Sequence, residues 1–187
     1  MSAFDPIRGF RKLAYNNALA NLRLHRACAM LKSGEFEAKR VSFFPSIKAT
    51  LNHILTVDWF YVDALEGGTL GLRAFDIEEP YGRLDELSRE QAEVDHRLAA
   101  LCEALTPEAA MQVVDIQRSG RIQRERAEDV LNHLFQHQTH HRGQVHAMLA
   151  GTSVAPPQLD EFLAADDARF RGGELAELGW DEAKLMR

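Results

Sequence analysis

Four of the chain's eight histidines crowd into one stretch, His133-Leu-Phe-Gln-His137-Gln-Thr-His140-His141-Arg142-Gly143-Gln144, and a fifth, His146, stands just beyond. His137 and His141 are four residues apart, and on a helix such a pair stands about 5–6 Å apart at Cβ on one face. Two imidazoles so placed converge on one metal ion, roughly 2.0–2.1 Å from each nitrogen if it is zinc. A third ligand must come from another helix. His53, in Leu51-Asn-His-Ile-Leu55, interrupts an apolar helix face. Alone it reads as a hydrogen-bonded core residue; with the paired histidines available it reads as the third ligand. Two other metal chemistries are excluded. A zincin needs His-Glu-x-x-His with the glutamate as general base, and here Gln138 follows His137 and takes no proton. A ferritin-like di-iron site needs two Glu-x-x-His pairs and further glutamates, and only Glu93-Val-Asp-His96 fits. A mononuclear three-histidine site remains.

The other polar residues admit a bland reading beside the functional one. His133 sits about 40° round the helix from His137 and faces either the pocket rim or a packing neighbour. His140 points the other way and reads as a polar neighbour; His25, His96 and His146 read as surface or inter-helix residues. Arg142 either orients a carboxylate, binds an anionic substrate or makes a structural ion pair. Gln144 equally suits a buried helix partner. Asp58, about 140° round from His53, is not expected to touch a metal. Arg118, Arg121, Arg124 and Arg126 gather near one turn, as a solvated basic edge or as receivers of carboxylates on an anionic cofactor. Phe43, Phe44, Trp59, Phe60 and Tyr61 suit a core, a dimer interface or a cavity wall.

Positioning such a site takes helices, and the chain supplies the pattern for four. The first runs from about Ile7 to Leu31, the second from Pro45, a first-turn residue, to Leu65. The third opens between Asp85 and Ser88, where Ser88-Arg-Glu-Gln91 fits a capping box, and closes at Thr106-Pro107. The fourth starts near Glu125 and ends at Leu149 before Gly151. A short β-hairpin is expected over Met111–Gln117 and Arg121–Gln123, turning at Arg118-Ser-Gly120. Short helices are expected over Leu159–Phe170 and Glu174–Met186, the last carrying Trp180. The fold class is therefore all-α, an antiparallel four-helix bundle.

A length of 187 residues predicts one domain over 1–187, with 158–187 as a C-terminal extension packed on it. Twenty-eight acids against 22 bases give a net charge of −6, which argues against nucleic acid or an anionic membrane surface as partner. There is no stretch long and apolar enough to span a bilayer. Met1-Ser-Ala-Phe-Asp-Pro lacks a signal-peptide pattern. Cys28 and Cys102 read as buried free thiols, and a cytoplasmic location is expected. The apolar segment around Leu175, Leu178 and Trp180 must bury itself against something.

Asn17-Ala-Leu-Ala-Asn21, Ser46-Ile-Lys-Ala-Thr-Leu-Asn-His53 and Leu134-Phe-Gln-His137-Gln-Thr-His-His141-Arg-Gly-Gln144 together resemble the DinB/YfiT-like family of bacterial metalloenzymes, unrelated to the translesion polymerase of similar name. His146-Ala-Met-Leu149 and Pro156-Pro-Gln-Leu-Asp160 follow the same pattern, so the resemblance covers about residues 10 to 165. The block around His141 is its most specific part. Leu19 departs from the tryptophan often found in the first helix, which bears on the pocket wall. The resemblance implies an up-down-down-up bundle, a homodimer, and a divalent metal, zinc or nickel, on His53, His137 and His141. It also implies thiol S-transferase or isomerase chemistry with a low-molecular-weight thiol such as bacillithiol or mycothiol, though many relatives have no assigned activity.

Two classes of function follow. In one, the chain is a metal-dependent transferase, or secondarily a hydrolase, acting on a small molecule. In the other, it is a non-catalytic, metal-binding or stress-related protein whose metal clamps two helices. Structural zinc usually takes four protein ligands, often with cysteine, so three histidines with open positions favour the enzyme. All-imidazole ligands suit zinc, nickel, copper and iron alike, and leave the ion unnamed.

Overall fold

Four runs of apolar residues at helical spacing form the four long helices of the computed structural model, which describes residues 5–160 and 164–187. They are α1 (Arg8–Ala29), α2 (Ile47–Leu65), α3 (Leu84–Ala104) and, after a one-turn helix α4 (Pro107–Ala110) and a two-stranded hairpin, α5 (Ala127–Leu149). The hairpin pairs β1 (Val113–Arg118) antiparallel with β2 (Arg121–Arg126). A 3-10 turn (Ala165–Phe170) and the short helices α6 (Gly172–Glu177) and α7 (Glu182–Met186) follow. Helix α1 packs on α3 and α5, and α2 packs on the same two. Leu19, Leu24, Leu51, Leu55, Leu98, Leu131 and Leu134 fill the space between them. Each such leucine contributes about 1.5–3 kcal/mol by leaving water. Among the described residues, no helix is long and apolar enough to cross a membrane.

Several element ends differ from expectation, each for a local reason. Pro45 stands outside α2: Ser46 is the N-cap, its hydroxyl accepting from the Ala49 N–H at 3.0 Å, and the Pro45 carbonyl is taken by the Arg40 N–H. Ser88-Arg-Glu-Gln91 is not a capping box, because α3 begins a turn earlier. The Ser88 hydroxyl donates to the Leu84 carbonyl at 2.7 Å instead. Thr106 does end the neighbourhood of α3, but it also caps α4, with Pro107 at its first position. Arg118 and Glu125 are strand residues, so the turn is Ser119-Gly120 alone and α5 starts at Ala127. There the Ala127 N–H is held by the Gln112 carbonyl.

A smaller apolar cluster of Phe60, Ala64, Ala74, Ile116 and Val130 seats the hairpin against α2 and α5. A 3-10 turn (Gly71–Phe75) closes it from the side. Gly71, at φ +53°, packs so tightly on β1 that a Cβ there would meet the Gln117 Cβ at 2.5 Å, so only glycine fits. The hairpin is thereby fixed beside the entry to α5.

The C-terminal residues lie back on α1. Leu175, Trp180 and Leu185 are buried, Trp180 meets the Tyr15 ring edge-on at 4.7 Å, and Arg23 on α1 binds Glu174 at 2.7 Å. Trp180 stands between α6 and α7 rather than in a helix. The segment's apolar side is thus covered by its own chain and gives no ground for a second copy. Met1 to Phe4, and part of the helix expected over Leu159–Phe170, lie outside the described residues.

Candidate metal centre

His53 interrupts the apolar face of α2 where that helix packs on α5, and there it meets the two histidines of α5. The Nε2 atoms of His53 and His137 are 3.0 Å apart; the His141 ring centroid lies 4.7 Å from that of His53 and 4.3 Å from that of His137. One ring nitrogen from each residue lies within 4.8 Å of the others, the one such grouping among the described residues. Burial and the neighbouring imidazoles disfavour protonation: His53 is pushed down to about 4, His137 to about 3, and His141 is lowered by burial too. All three therefore present lone pairs at neutral pH. The Nδ1–H of His141 donates to the Gln144 Oε1 at 2.8 Å, while the Gln144 amide donates to His140 Nε2 at 3.1 Å. That relay selects the tautomer leaving His141 Nε2 free toward the cluster. Phe44 covers the group, its ring centroid 4.3 Å from His53 and 5.6 Å from His141.

These residues fit a divalent ion. Two nitrogens on one tetrahedral zinc stand roughly 3.3 Å apart, given bonds of about 2.0–2.1 Å. The 3.0 Å between His53 and His137 is close to that, and every donor is a neutral imidazole. Nothing in the group is a thiolate or a carboxylate.

Other residues singled out in the sequence fall elsewhere. His133 is exposed beside Tyr61, ring centroids 5.2 Å apart, and one step from His137. His140 is exposed, accepts from the Gln144 amide and stands edge-on to the His141 ring, centroids 4.8 Å apart. His25 is buried between α1 and α3 against Ser88, His96 lies against Trp180, and His146 bonds the Pro157 carbonyl. Phe60 belongs to the core, Trp59 packs on Tyr81, and Phe43 is 80% exposed beside Phe44. Arg142 points away from the three histidines, into the interior.

The model for the DinB family matches residues 4–175. The chain belongs to the DinB family. A crystal structure of the DinB-like protein YjoA from Bacillus subtilis resembles this DinB chain at 17% identity, with a TM-score of 0.53, over 78% of this chain and 96% of that one. At that identity the likeness speaks to fold alone. No curated protein matches.

Behind the histidines this DinB chain carries a buried polar network that the sequence reading did not find. Asn17 and Asn21 on α1, Asp58 on α2, Gln91 and Asp95 on α3, and Gln138 and Arg142 on α5 are all buried. Gln91 donates to Asp58 at 2.8 Å and to Asp95 at 3.2 Å, Gln138 donates to Asp58, and both asparagines donate to Asp95. The Arg142 guanidinium donates to Asn17, Asn21 and Gln138. The signal was there: polar residues at core-facing helix positions, Asn17 and Asn21 one turn apart. Desolvation pushes Asp58 up to about 8 and Asp95 up to about 6, against the pull of their amide donors and Arg142. Desolvation also takes Arg142 down to about 10, so it keeps its charge at neutral pH.

These shifts set a pH profile for the metal-free protein. Asp58 holds a proton in the fold that it loses when unfolded, so its contribution is complete below the unfolded value of 3.8 and is lost as pH rises toward 8. His25, also pushed down to about 4 by burial, and His53 and His137 work in the opposite sense. Their contribution is complete above the unfolded value of 6.5 and is lost as pH falls through 4 to 3. Stability should peak near pH 6.5 and decline by about 1 kcal/mol per unit on the alkaline side. Thermal melts from pH 4 to 9 check this: Asp58→Asn should flatten the alkaline limb, and an unchanged slope there would contradict the assignment.

Proposed function

We propose that the chain holds a divalent ion, zinc or nickel, on His53, His137 and His141, and transfers a thiol to a small electrophile. The observation that carries this is the convergence of three neutral imidazoles with no acid among them. When bound, such an ion supplies a Lewis acid that lowers the pKa of a coordinating thiol, making a nucleophile at neutral pH. The chain's own side chains arrange the rest. Gln144 holds His141 in one tautomer, and Phe44 keeps one side of the group dry. The chain's own thiols are ruled out as nucleophiles, since burial pushes both Cys28 and Cys102 up to about 12. The reacting thiol must then arrive as a cosubstrate.

Up-down-down-up helix order, a single domain over 1–187, a homodimer and a cytoplasmic location belong to the same reading. The packing of α6 and α7 on α1 supports the single domain. A metal-dependent hydrolysis is the second reading, and a metal that only clamps α2 to α5 the third.

Metal-loaded protein incubated with a panel of cellular thiols and monochlorobimane tests the transfer. At least one thiol should be conjugated faster than with metal-free protein or with His141→Ala. Equal rates throughout the panel would overturn the transferase reading.

A further inference from the structure

Two buried polar atoms on the α1–α3 seam have no hydrogen-bond partner among the described residues: Nε2 of His25 and Oε1 of Gln91. The two residues are 6% and 1% exposed, and both line one cavity of about 60 Å³. Asp95 borders the same cavity, and Leu22, Ala92 and Leu178 form its outer rim.

What each atom can do follows from the other bonds its side chain makes. The Ser88 hydroxyl donates its one proton to the Leu84 carbonyl at 2.7 Å, so toward His25 Nδ1, 2.8 Å away, it can only accept. Burial keeps the ring neutral, pushing its pKa down to about 4. His25 therefore carries its proton on Nδ1 and presents a bare lone pair at Nε2. Gln91 is oriented just as firmly. Its amide nitrogen donates to Asp58 at 2.8 Å and to Asp95 at 3.2 Å. Turned over, the amide would set its oxygen against the Asp95 carboxylate, which is ionised at neutral pH. Oε1 thus faces away from the acids as an acceptor. Two acceptors cannot satisfy each other, and a buried acceptor with no donor carries its full desolvation cost.

We propose that the cavity is a binding site for an internal water, which donates one proton to His25 Nε2 and the other to Gln91 Oε1. Water is the smallest neutral molecule with two such protons, and at roughly 30 Å³ of liquid volume each the space takes one or two. The surroundings favour a neutral guest: the charge of Asp95 is met by Arg142 in the same network, and Asp58 keeps its proton up to about 8. The site is independent of the three-histidine centre and of what binds there. It ties α1 to α3 through a bridged hydrogen bond. It also has a use for the interior acids, whose protons must exchange with bulk solvent as pH changes. Leu22 and Leu178 are half-buried and Ala92 is exposed, so a water held here stands between Asp95 and the surface.

Three measurements on the full chain test this. In a crystal structure, a solvent peak should lie within about 2.7–3.2 Å of both atoms. Nitrogen-15 correlation of the ring should find His25 protonated on Nδ1 at neutral pH. Water oxygen-17 relaxation dispersion, which counts long-lived internal waters, should fall by at least one water in His25→Phe, which takes the ring acceptor away. His96→Phe, at an exposed ring that does not line the cavity, should leave the count unchanged. A peak bonded to one atom or to neither, a proton on Nε2, or an unchanged count in His25→Phe each overturns the site. The first two measurements use the unaltered protein, so they decide the matter even where His25→Phe does not fold.

Discussion

His137→Ala should abolish stoichiometric zinc or nickel binding, while His25→Ala should leave it intact. His137 is central to the group: its Nε2 lies 3.0 Å from that of His53, and its ring is a helical turn from His141. Without it, one imidazole remains on each helix, and two such ligands cannot hold an ion against water at micromolar concentrations. The loss should exceed the roughly 10–100-fold that removing an outer-shell partner costs. Gln144→Ala supplies that smaller step, because it only releases the His141 tautomer. His25 supplies the control: it is a buried neutral histidine away from the cluster, on the α1–α3 seam with Ser88. Elemental analysis of protein purified without an immobilised-metal column makes the comparison. Full metal content in His137→Ala would refute the site.

How much of this could be read from residues alone depended on whether the physics was local. The His137–His141 pair was legible because i, i+4 spacing on a helix fixes proximity whatever else the chain does. His53 was legible only as an interruption, and its partner was inferred rather than seen, since packing of α2 on α5 is not a local property. The four long helices were legible from periodicity. Their starts were less so: Ser46 and Pro45 both suit a helix entry, and the hydrogen bond to Ala49 decides for Ser46. Ser88 matched a capping pattern by type, yet tertiary contact with His25 and Leu84 gave its hydroxyl other work. Polar residues at core-facing positions such as Asn17 and Asn21 signalled the interior network, but which of them meet depends on four helices closing around them, which is not a local property. The same holds for the hairpin arginines, since strand register sets Arg124 opposite Asp115 and Arg118 opposite Arg121.

That network gives the second large effect. Arg142→Met should destabilise the protein by about 3–5 kcal/mol at neutral pH, the range for removing one partner from a buried charge cluster. Arg142 is 5% exposed and, among the described residues, is the cation hydrogen-bonded within a network that also holds Asp58 and Asp95. Methionine fills similar volume but strands the side-chain oxygens of Asn17, Asn21 and Gln138, and removes the charge that offsets the Asp95 carboxylate and pulls the titration of both acids down. Each carboxyl would then titrate still higher, so the variant should prefer to keep both protonated. The sign follows: because the fold binds protons that the unfolded chain releases, acidification helps the variant more than the parent. The gap between them should therefore narrow from pH 7 to pH 5, as measured by urea unfolding of both metal-free proteins. The effect also reaches the histidines, because Gln138 and Arg142 directly follow His137 and His141 on α5 and fix that helix's rotation. A variant that loses less than about 1 kcal/mol, with no change between the two pH values, would show that Arg142 holds neither the carboxylates nor the helix.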